Sequence, residues 1–406
     1  MPDPNNNNTG IESSFLTKPV AIICWLVLCV FAALFEKTGV ALFLGFVFVL
    51  TFVSYLWARA ALKNVDFLRH ANHTGVFPGQ TFVVARTIAN GKALPLIWVE
   101  IREPCGTDEP ASSPPETIIS HEVYDEAKET TITTYERLYT LSLVHWYGRV
   151  TFHDTWTARR RGIMEFGDSS VRSGDGFGLS AVGRTYKTPE QNRIVVFPAL
   201  ADVSVAGIIN DMWDTRSRET GYLEDRTSIK SVRDYQAGDP MRNINMRLLA
   251  RGQAIKTNVF EIVTPDSVLF VIDPGSFRLV SPYVFEEALS VTASLIESLT
   301  RRGISVSLFA PSSVWYEETC TPPSCADAER FEMLTLLAAA SEKDGPIRGV
   351  PPDWTEETGK IYYVASDAGS VTASALLGLL PEHKTRILTP DDLNAYRCIG
   401  KDRKAV

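Results

Sequence analysis

Cysteine is scarce in this chain, with six residues in 406. Cys24 and Cys29 lie inside an apolar run, Cys105 and Cys398 are isolated, and only Cys320 and Cys325 are neighbours, in CTPPSC, which reads as a Pro-containing loop. That distribution excludes a disulfide framework, and one C-x4-C pair supplies at most half a zinc site. Free thiols fit a reducing compartment. Positive charge is also short: 40 Lys and Arg stand against 48 Asp and Glu, a net charge of -8. Nucleic-acid-binding domains carry a basic excess, so nucleic acid is not an expected partner. There are only six histidines. Two of them, His70 and His73, form an H-x-x-H without a third ligand nearby, which reads as surface histidine. No P-loop, G-x-S-x-G or H-E-x-x-H is present, so no catalytic class is indicated. The glycine-rich SGDGFGLSAVG, from Ser173, neither follows a clean strand nor opens a clear helix, and a dinucleotide loop needs both.

The content that remains is 45% hydrophobic and 22% charged, ordinary for a globular chain of two or three domains. The apolar residues are concentrated at the start. After a polar stretch read as disordered (residues 1–17), VAIICWLVLCVFAALF runs from Val20 to Phe35 without charge, Glu36 and Lys37 interrupt, and a second run continues to about Leu62. A charge at the bilayer centre costs about 2.5–3.5 kcal/mol, which disfavours one long helix with Glu36 and Lys37 in its middle. The expected solution is a transmembrane helical hairpin over 18–62, although the first run is short for a hydrocarbon core about 30 Å thick. A cleaved signal peptide is the rival, and Lys18 is its only basic n-region residue, with Glu12 nearby. Arg59, Lys63 and Arg69 follow the second run, which places the bulk of the chain in the cytoplasm by the positive-inside rule.

From 63 to 200 the pattern changes to short alternating stretches rich in Thr, Val, Ile, Tyr and Trp, such as TFVVARTIAN and RIVVFPAL, separated by turn residues. That reads as a β-sandwich-like domain, with CGTDEPASSPPE as a loop. From 265 to 398 strands and helices alternate: SVLFVI ends in Asp273, Pro282 to Gly303 has helical spacing, KIYYVASD ends in Asp367, VTASALLGLLP reads as a helix and TRILTP as a last strand. Alternation at this spacing argues for a doubly wound parallel α/β sheet. In such sheets strand ends converge on a functional crevice, and Asp273, Ser276 and Asp367 supply the hard oxygen ligands that suit Mg²⁺. The expected class is therefore α+β and multidomain, with a tail at 399–406.

Between these regions, within 201–264, lies SVRDYQAGDPMRNIN. Gly238-Asp239-Pro240 is turn chemistry. Arg233 and Arg242 flank it, and an arginine fork holds a carboxylate bidentately, with Asp239 the nearest candidate. No nucleophile–base set accompanies it. Two readings stay open: a buried clamp fixing the junction of the β-rich and α/β domains, or a partner-binding surface.

This stretch resembles the hallmark of a membrane protein family known as domain of unknown function fifty-eight. Arg233, Tyr235, Gly238, Asp239, Arg242, Ile244, Asn245, Ala250 and Arg251 match its pattern, while Met246, Arg247 and Leu249 depart from the usual Trp, Lys and Ser. RRRGIMEFGDSSVRSGDGFGL is similar to a second family segment, with Gly176 in place of Pro. The resemblance spans essentially the whole chain. It implies a C-terminal domain like von Willebrand factor type A and a non-enzymatic role beside a MoxR-type AAA+ ATPase and other membrane proteins, in assembly or maturation of envelope or enzyme complexes. It implies no cofactor. The type A metal motif, Asp-x-Ser-x-Ser, here reads Asp273-Pro-Gly275-Ser276-Phe277, so both serine positions are lost and a Mg²⁺ site is degenerate.

Overall fold

The computed structural model describes residues 9–13, 18–35, 37–106, 109–125, 130–188, 193–219, 224–262, 267–310, 320–342, 358–367 and 380–398. The chain divides after Phe197 into two compact units.

The first unit opens with β1 (Thr9–Ser13), a strand where the sequence predicts disorder. It pairs antiparallel with a later strand, so backbone pairing orders a segment whose side chains give no apolar signal. Two helices follow. The shorter, α1 (Pro19–Leu34), has Pro at its first position, where a missing N–H is harmless. Its partner α2 (Thr38–Ala61) is the one described helix long and apolar enough to cross a membrane. At about 1.5 Å per residue its 24 residues cover the hydrocarbon core, whereas α1 falls short. The helices pack together where Gly45 meets the Cys29 sulfur. Leu42, Phe43 and Phe46 are exposed along α2, but Ala58, Ala61 and Leu62 at its C-terminal end are buried.

That end enters a β-rich body. Its strands are β2 (Val65–Ala71), β3 (Gly75–Val76), β4 (Thr81–Asn90), β5 (Val99–Cys105), β6 (Ala111–Ser112), β7 (Ile118–Asp125), β8 (Thr130–Leu141), β9 (Arg149–Ala158), β10 (Gly162–Glu165), β11 (Ser169–Gly174), β12 (Ser180–Tyr186) and β13 (Arg193–Val196). They form a six-stranded sheet in the order β1-β12-β11-β5-β8-β7, a four-stranded sheet β2-β4-β9-β6 and a three-stranded sheet β10-β13-β3. Alternation sets the faces: in β4 every second residue, Phe82 to Asn90, is buried. One core gathers Ala61 and Leu62 with Val65, Ile88, Val99 and Ile101, and so locks the helix end to the sheets. The Ser180 hydroxyl adds a 3.1 Å hydrogen bond to the Ser54 carbonyl. CGTDEPASSPPE, expected as pure loop, contributes the short β6 and a 3-10 turn at Pro115–Thr117.

The second unit holds α3 (Ala206–Glu219), a two-stranded hairpin of β14 (Glu224–Asp234) and β15 (Lys256–Ile262) around α4 (Met246–Leu249), and a five-stranded sheet. The sheet strands are β16 (Ser267–Ile272), β17 (Ser305–Phe309), β18 (Cys320–Ser324), β19 (Lys360–Val364) and β20 (Thr385–Leu388), in the order β18-β17-β16-β19-β20. Four strands run parallel. Burial is continuous along β16, β17 and β19 rather than alternating, as expected of a parallel sheet covered on both faces. The helix α5 (Pro282–Thr300) runs from Pro to a left-handed Gly303 just past its end. It is followed by α6 (Asp327–Ala339) and by α7 (Pro390–Ala395), the last opened by a Thr389–Asp392 capping box. CTPPSC, expected as a loop, is the antiparallel edge strand β18; an irregular edge is where a sheet tolerates proline. The helix expected at VTASALLGLLP lies, but for Leu380 and Pro381 at its end, outside the described residues.

Candidate functional site

The hallmark residues form the turn of the β14–β15 hairpin. Asp239 is its centre. Its Oδ1 accepts from the Arg233 guanidinium at 2.6 Å, and its Oδ2 accepts from the Gln236 amide at 2.9 Å and the Thr257 hydroxyl at 3.2 Å. The Arg233 hydrogen bond, aided by the Gln236 N–H, holds the Asp239 carboxyl below its ordinary range. Gly238 takes φ +110, which only glycine adopts readily. Asn245 ties the far side: its Oδ1 caps α4 through the Leu248 amide at 3.1 Å, and its Nδ2 donates to Asn258 at 2.7 Å. The Tyr235 and Asn245 amides donate to the Ile255 and Lys256 carbonyls.

So the motif is a clamp, but of its own hairpin, and it is not buried. Every residue from Ser231 to Gly238 is exposed, as are Arg242 and Arg251. Of the two readings left open, the exposure overturns the burial assumed for the clamp. A register irregularity between Ile229 and Ser231 brings Ile229 and Val232 to one face of the hairpin, opposite Phe260 and Asn258, and both stay exposed there. Arg242 and Arg251 do not join the Asp239 cluster, and neither guanidinium has a described partner.

The strand-end carboxylates behave differently from each other. Asp273 is buried and accepts from the Tyr363 hydroxyl at 2.9 Å through Oδ2, while its Oδ1 has no hydrogen-bond partner among the described residues. Burial, then the adjacent Asp273 carboxylate, pushes the Tyr363 phenol well above its ordinary value. Ser276 turns away: its hydroxyl donates to the Asp273 backbone carbonyl at 2.8 Å and accepts from the Ser366 amide at 3.0 Å. It staples two strand ends together. Asp367 is exposed, and Pro274 and Phe277 are buried. No group of three His, Cys, Asp or Glu suited to a metal occurs among the described residues. Mg²⁺ demands near-octahedral oxygen, and one free carboxylate oxygen does not meet that demand, so the described donors do not fit the ion.

Sequence reasoning missed a third cluster. Inside the β-rich body, Arg86 of β4 reaches across to Glu103 of β5 with two hydrogen bonds, 3.0 and 2.8 Å, and to Asp154 at 2.8 Å. Arg69 of β2 approaches Glu103 at 2.9 Å. Arg137 of β8 pairs with Glu109 and donates to the Ser113 hydroxyl at 3.0 Å. The guanidiniums also stack on rings: Arg86 lies 4.2 Å from the Tyr139 centroid, Arg137 4.5 Å from Trp156, and Arg69 4.5 Å from Phe166. Burial alone would raise the Glu103 carboxyl; the hydrogen bonds and charges of Arg86 and Arg69 overcome it and hold the group below its usual value. The signal was present in the alternation, because Arg86, Glu103 and Arg137 each occupy the inward phase of an apolar strand.

Two other motifs resolve simply. SGDGFGL is the β11–β12 turn, with Asp175 accepting from the Leu179 amide at 3.0 Å and Gly178 left-handed at φ +72. His70 and His73 are both exposed.

No protein-family model matches the chain. It is similar to an uncharacterized protein, YeaD of Bacillus subtilis, with 27% identity over 324 residues, 79% of this chain and 74% of that one. Among solved structures, a putative membrane anchored protein from Corynebacterium diphtheriae shares 13% identity with a TM-score of 0.21, over 33% of this chain and 36% of its own. A CARDB domain from Pyrococcus furiosus shares 11% identity with a TM-score of 0.18, over 33% of this chain and 96% of its own. Scores of that size carry no argument. What stands is a mixed α+β chain with one membrane-length apolar helix and a β-rich middle.

Proposed function

We propose that this chain is a membrane-anchored, non-enzymatic scaffold or adaptor that acts with a MoxR-type AAA+ ATPase in assembly or maturation of envelope or protein complexes. In this reading α1 and α2 both cross the membrane as a hairpin, the bulk of the chain is cytoplasmic, and the C-terminal unit is a type A-like domain. One observation carries the reading furthest: the hallmark residues spend their hydrogen bonds on holding a solvent-exposed hairpin, an arrangement suited to presentation rather than catalysis. The ATPase enters through the family resemblance alone.

The alternative reading, a metal-dependent ligand-binding module centred on the strand ends, has only the unpartnered Asp273 Oδ1 behind it, since the described donors do not fit Mg²⁺. One experiment separates the two: affinity purification of the detergent-solubilised chain from its native cell, with and without EDTA, followed by mass spectrometry. An AAA+ ATPase recovered in both conditions supports the scaffold. Recovery abolished by EDTA favours the metal-dependent module. No ATPase in either condition removes the partner.

A further inference from the structure

We infer that the hairpin tip, Tyr235 to Ile255, is a docking surface for a protein that presents carboxylates beside an apolar patch. The inference deepens the scaffold reading and rests on it only for the partner's identity.

A two-stranded sheet is marginal on its own in water. This one is secured by its turn chemistry, and it leaves its apolar side chains outside. Met241 is 75% exposed and Met246 62%, with Leu249 and Ile255 also exposed. Among them stand three guanidiniums, Arg242, Arg247 and Arg251, for which no partner is found among the described residues. The segment's single acidic side chain is Asp239, already engaged by Arg233, Gln236 and Thr257. Three arginines less one aspartate give the tip +2 on a chain whose net charge is -8. Charge complementarity therefore calls for an acidic occupant.

Composition decides between an anionic lipid surface and a protein. Lipid-binding patches typically gather about four to eight Lys or Arg, more than the three here. Interface cores between proteins are enriched in Arg, Met and Tyr and depleted in Lys. The tip has arginine, methionine and Tyr235 and no lysine between 235 and 255. Arg is also the residue that holds a carboxylate bidentately.

The test replaces Met246 with a photo-crosslinking amino acid in the full chain, in its own membrane, and maps the adduct by mass spectrometry. The same group at Leu279, which is 99% exposed and remote in sequence from the tip, gives the background. The expected result is a protein adduct at a segment bearing Asp or Glu beside apolar residues. Arg242→Glu with Arg247→Glu and Arg251→Glu should lower its yield by about tenfold or more, since opposing charges steer and hold such contacts. The corresponding triple Lys replacement keeps most of the yield, and Arg247→Glu alone serves if the triple Glu chain does not fold. An adduct to lipid only, to a second copy of this chain, or none above background overturns the inference. So does a yield that the Glu replacements leave unchanged. If the adduct meets the criteria but the protein is not an AAA+ ATPase, the docking surface stands and the ATPase reading falls.

Discussion

Glu103→Gln is the substitution that bears hardest on the polar core of the β-rich body. Glu103 is 1% exposed and is shared by two buried guanidiniums, those of Arg86 and Arg69. Arg69, Arg86 and Arg137 are balanced by Glu103, Asp154 and Glu109, three charges of each sign. Glutamine keeps the volume but removes one negative charge and points an N–H₂ at guanidinium donors. Breaking a buried pair from one side costs about 3–5 kcal/mol, because it leaves an uncompensated charge in low dielectric. At 1.4 kcal/mol per decade, amide protection in β4, β5 and β8 should fall by roughly 10²- to 10³-fold or more.

Native-state hydrogen exchange on the full chain is the suitable assay. It reads each strand separately, whereas a single melting temperature is ill defined for a chain of two units. Glu100→Gln is the control. Glu100 pairs with Arg102 and Arg172 near the surface, where such contacts contribute about 0–1 kcal/mol. A second comparison sharpens the test. Replacing Arg69, Arg86, Glu103 and Asp154 together by Met or Leu should be milder than Glu103→Gln alone, since two charges of each sign leave together and none of their partners is left unpaired. If Glu103→Gln lowers protection by less than about fivefold, close to 1 kcal/mol, the reading of this cluster as a charge-balanced core is wrong.

Acid should act on the same place. The Glu103 carboxyl is depressed in the folded chain, so its contribution is complete above the unfolded value near ~4.3 and is lost as pH falls through the lower folded value. Strand protection around β5 should therefore hold at pH 5 and weaken in stronger acid, and Glu103→Gln should abolish that part of the dependence. Tyr363→Phe removes the described hydrogen bond to the buried Asp273 carboxylate and should destabilise β16 and β19 by about 1–3 kcal/mol, read by exchange at those strands. Gly174→Ala would set a Cβ 2.2 Å from the Ser180 carbonyl oxygen, so the β11–β12 turn must shift, at about 1–3 kcal/mol in the same assay. Gly39→Ala, whose Cβ meets nothing, is its control.

Much of the backbone was legible because period and punctuation agree. The span from Pro282 to Gly303 has helical spacing, a proline that opens it and a glycine that ends it, and α5 occupies Pro282–Thr300. The turn chemistry of Gly238-Asp239 and the pairing of Arg233 with Asp239 were also legible, because partners six residues apart across a turn must meet. The segment's exposure was not legible: Ile229 and Val232 share a face only through a register irregularity in β14, and a cluster of charges draws attention to the idea of a buried site. The β1 strand had no side-chain signal at all, since the tie to β12 is made by backbone.

The arginine core shows where one-dimensional reading stops. Alternation in TFVVARTIAN places Arg86 on the inward phase beside Val84 and Ile88, and alternation in VEIREPC does the same for Glu103. Each fact taken singly looks like an error in the pattern. They become one feature only when β4 and β5 are assigned to different sheets that face each other, with Arg86 spanning the gap at 2.8 Å. Strand period gives the direction of a side chain and carries no information about the sheet opposite. A charge on an inward phase is therefore a reason to look for a second inward charge of opposite sign elsewhere in the same domain. Glu103, 17 residues on, meets that condition. Read this way, the pair marks the two strands as sharing one core, and the sheet order then assigns them to different sheets.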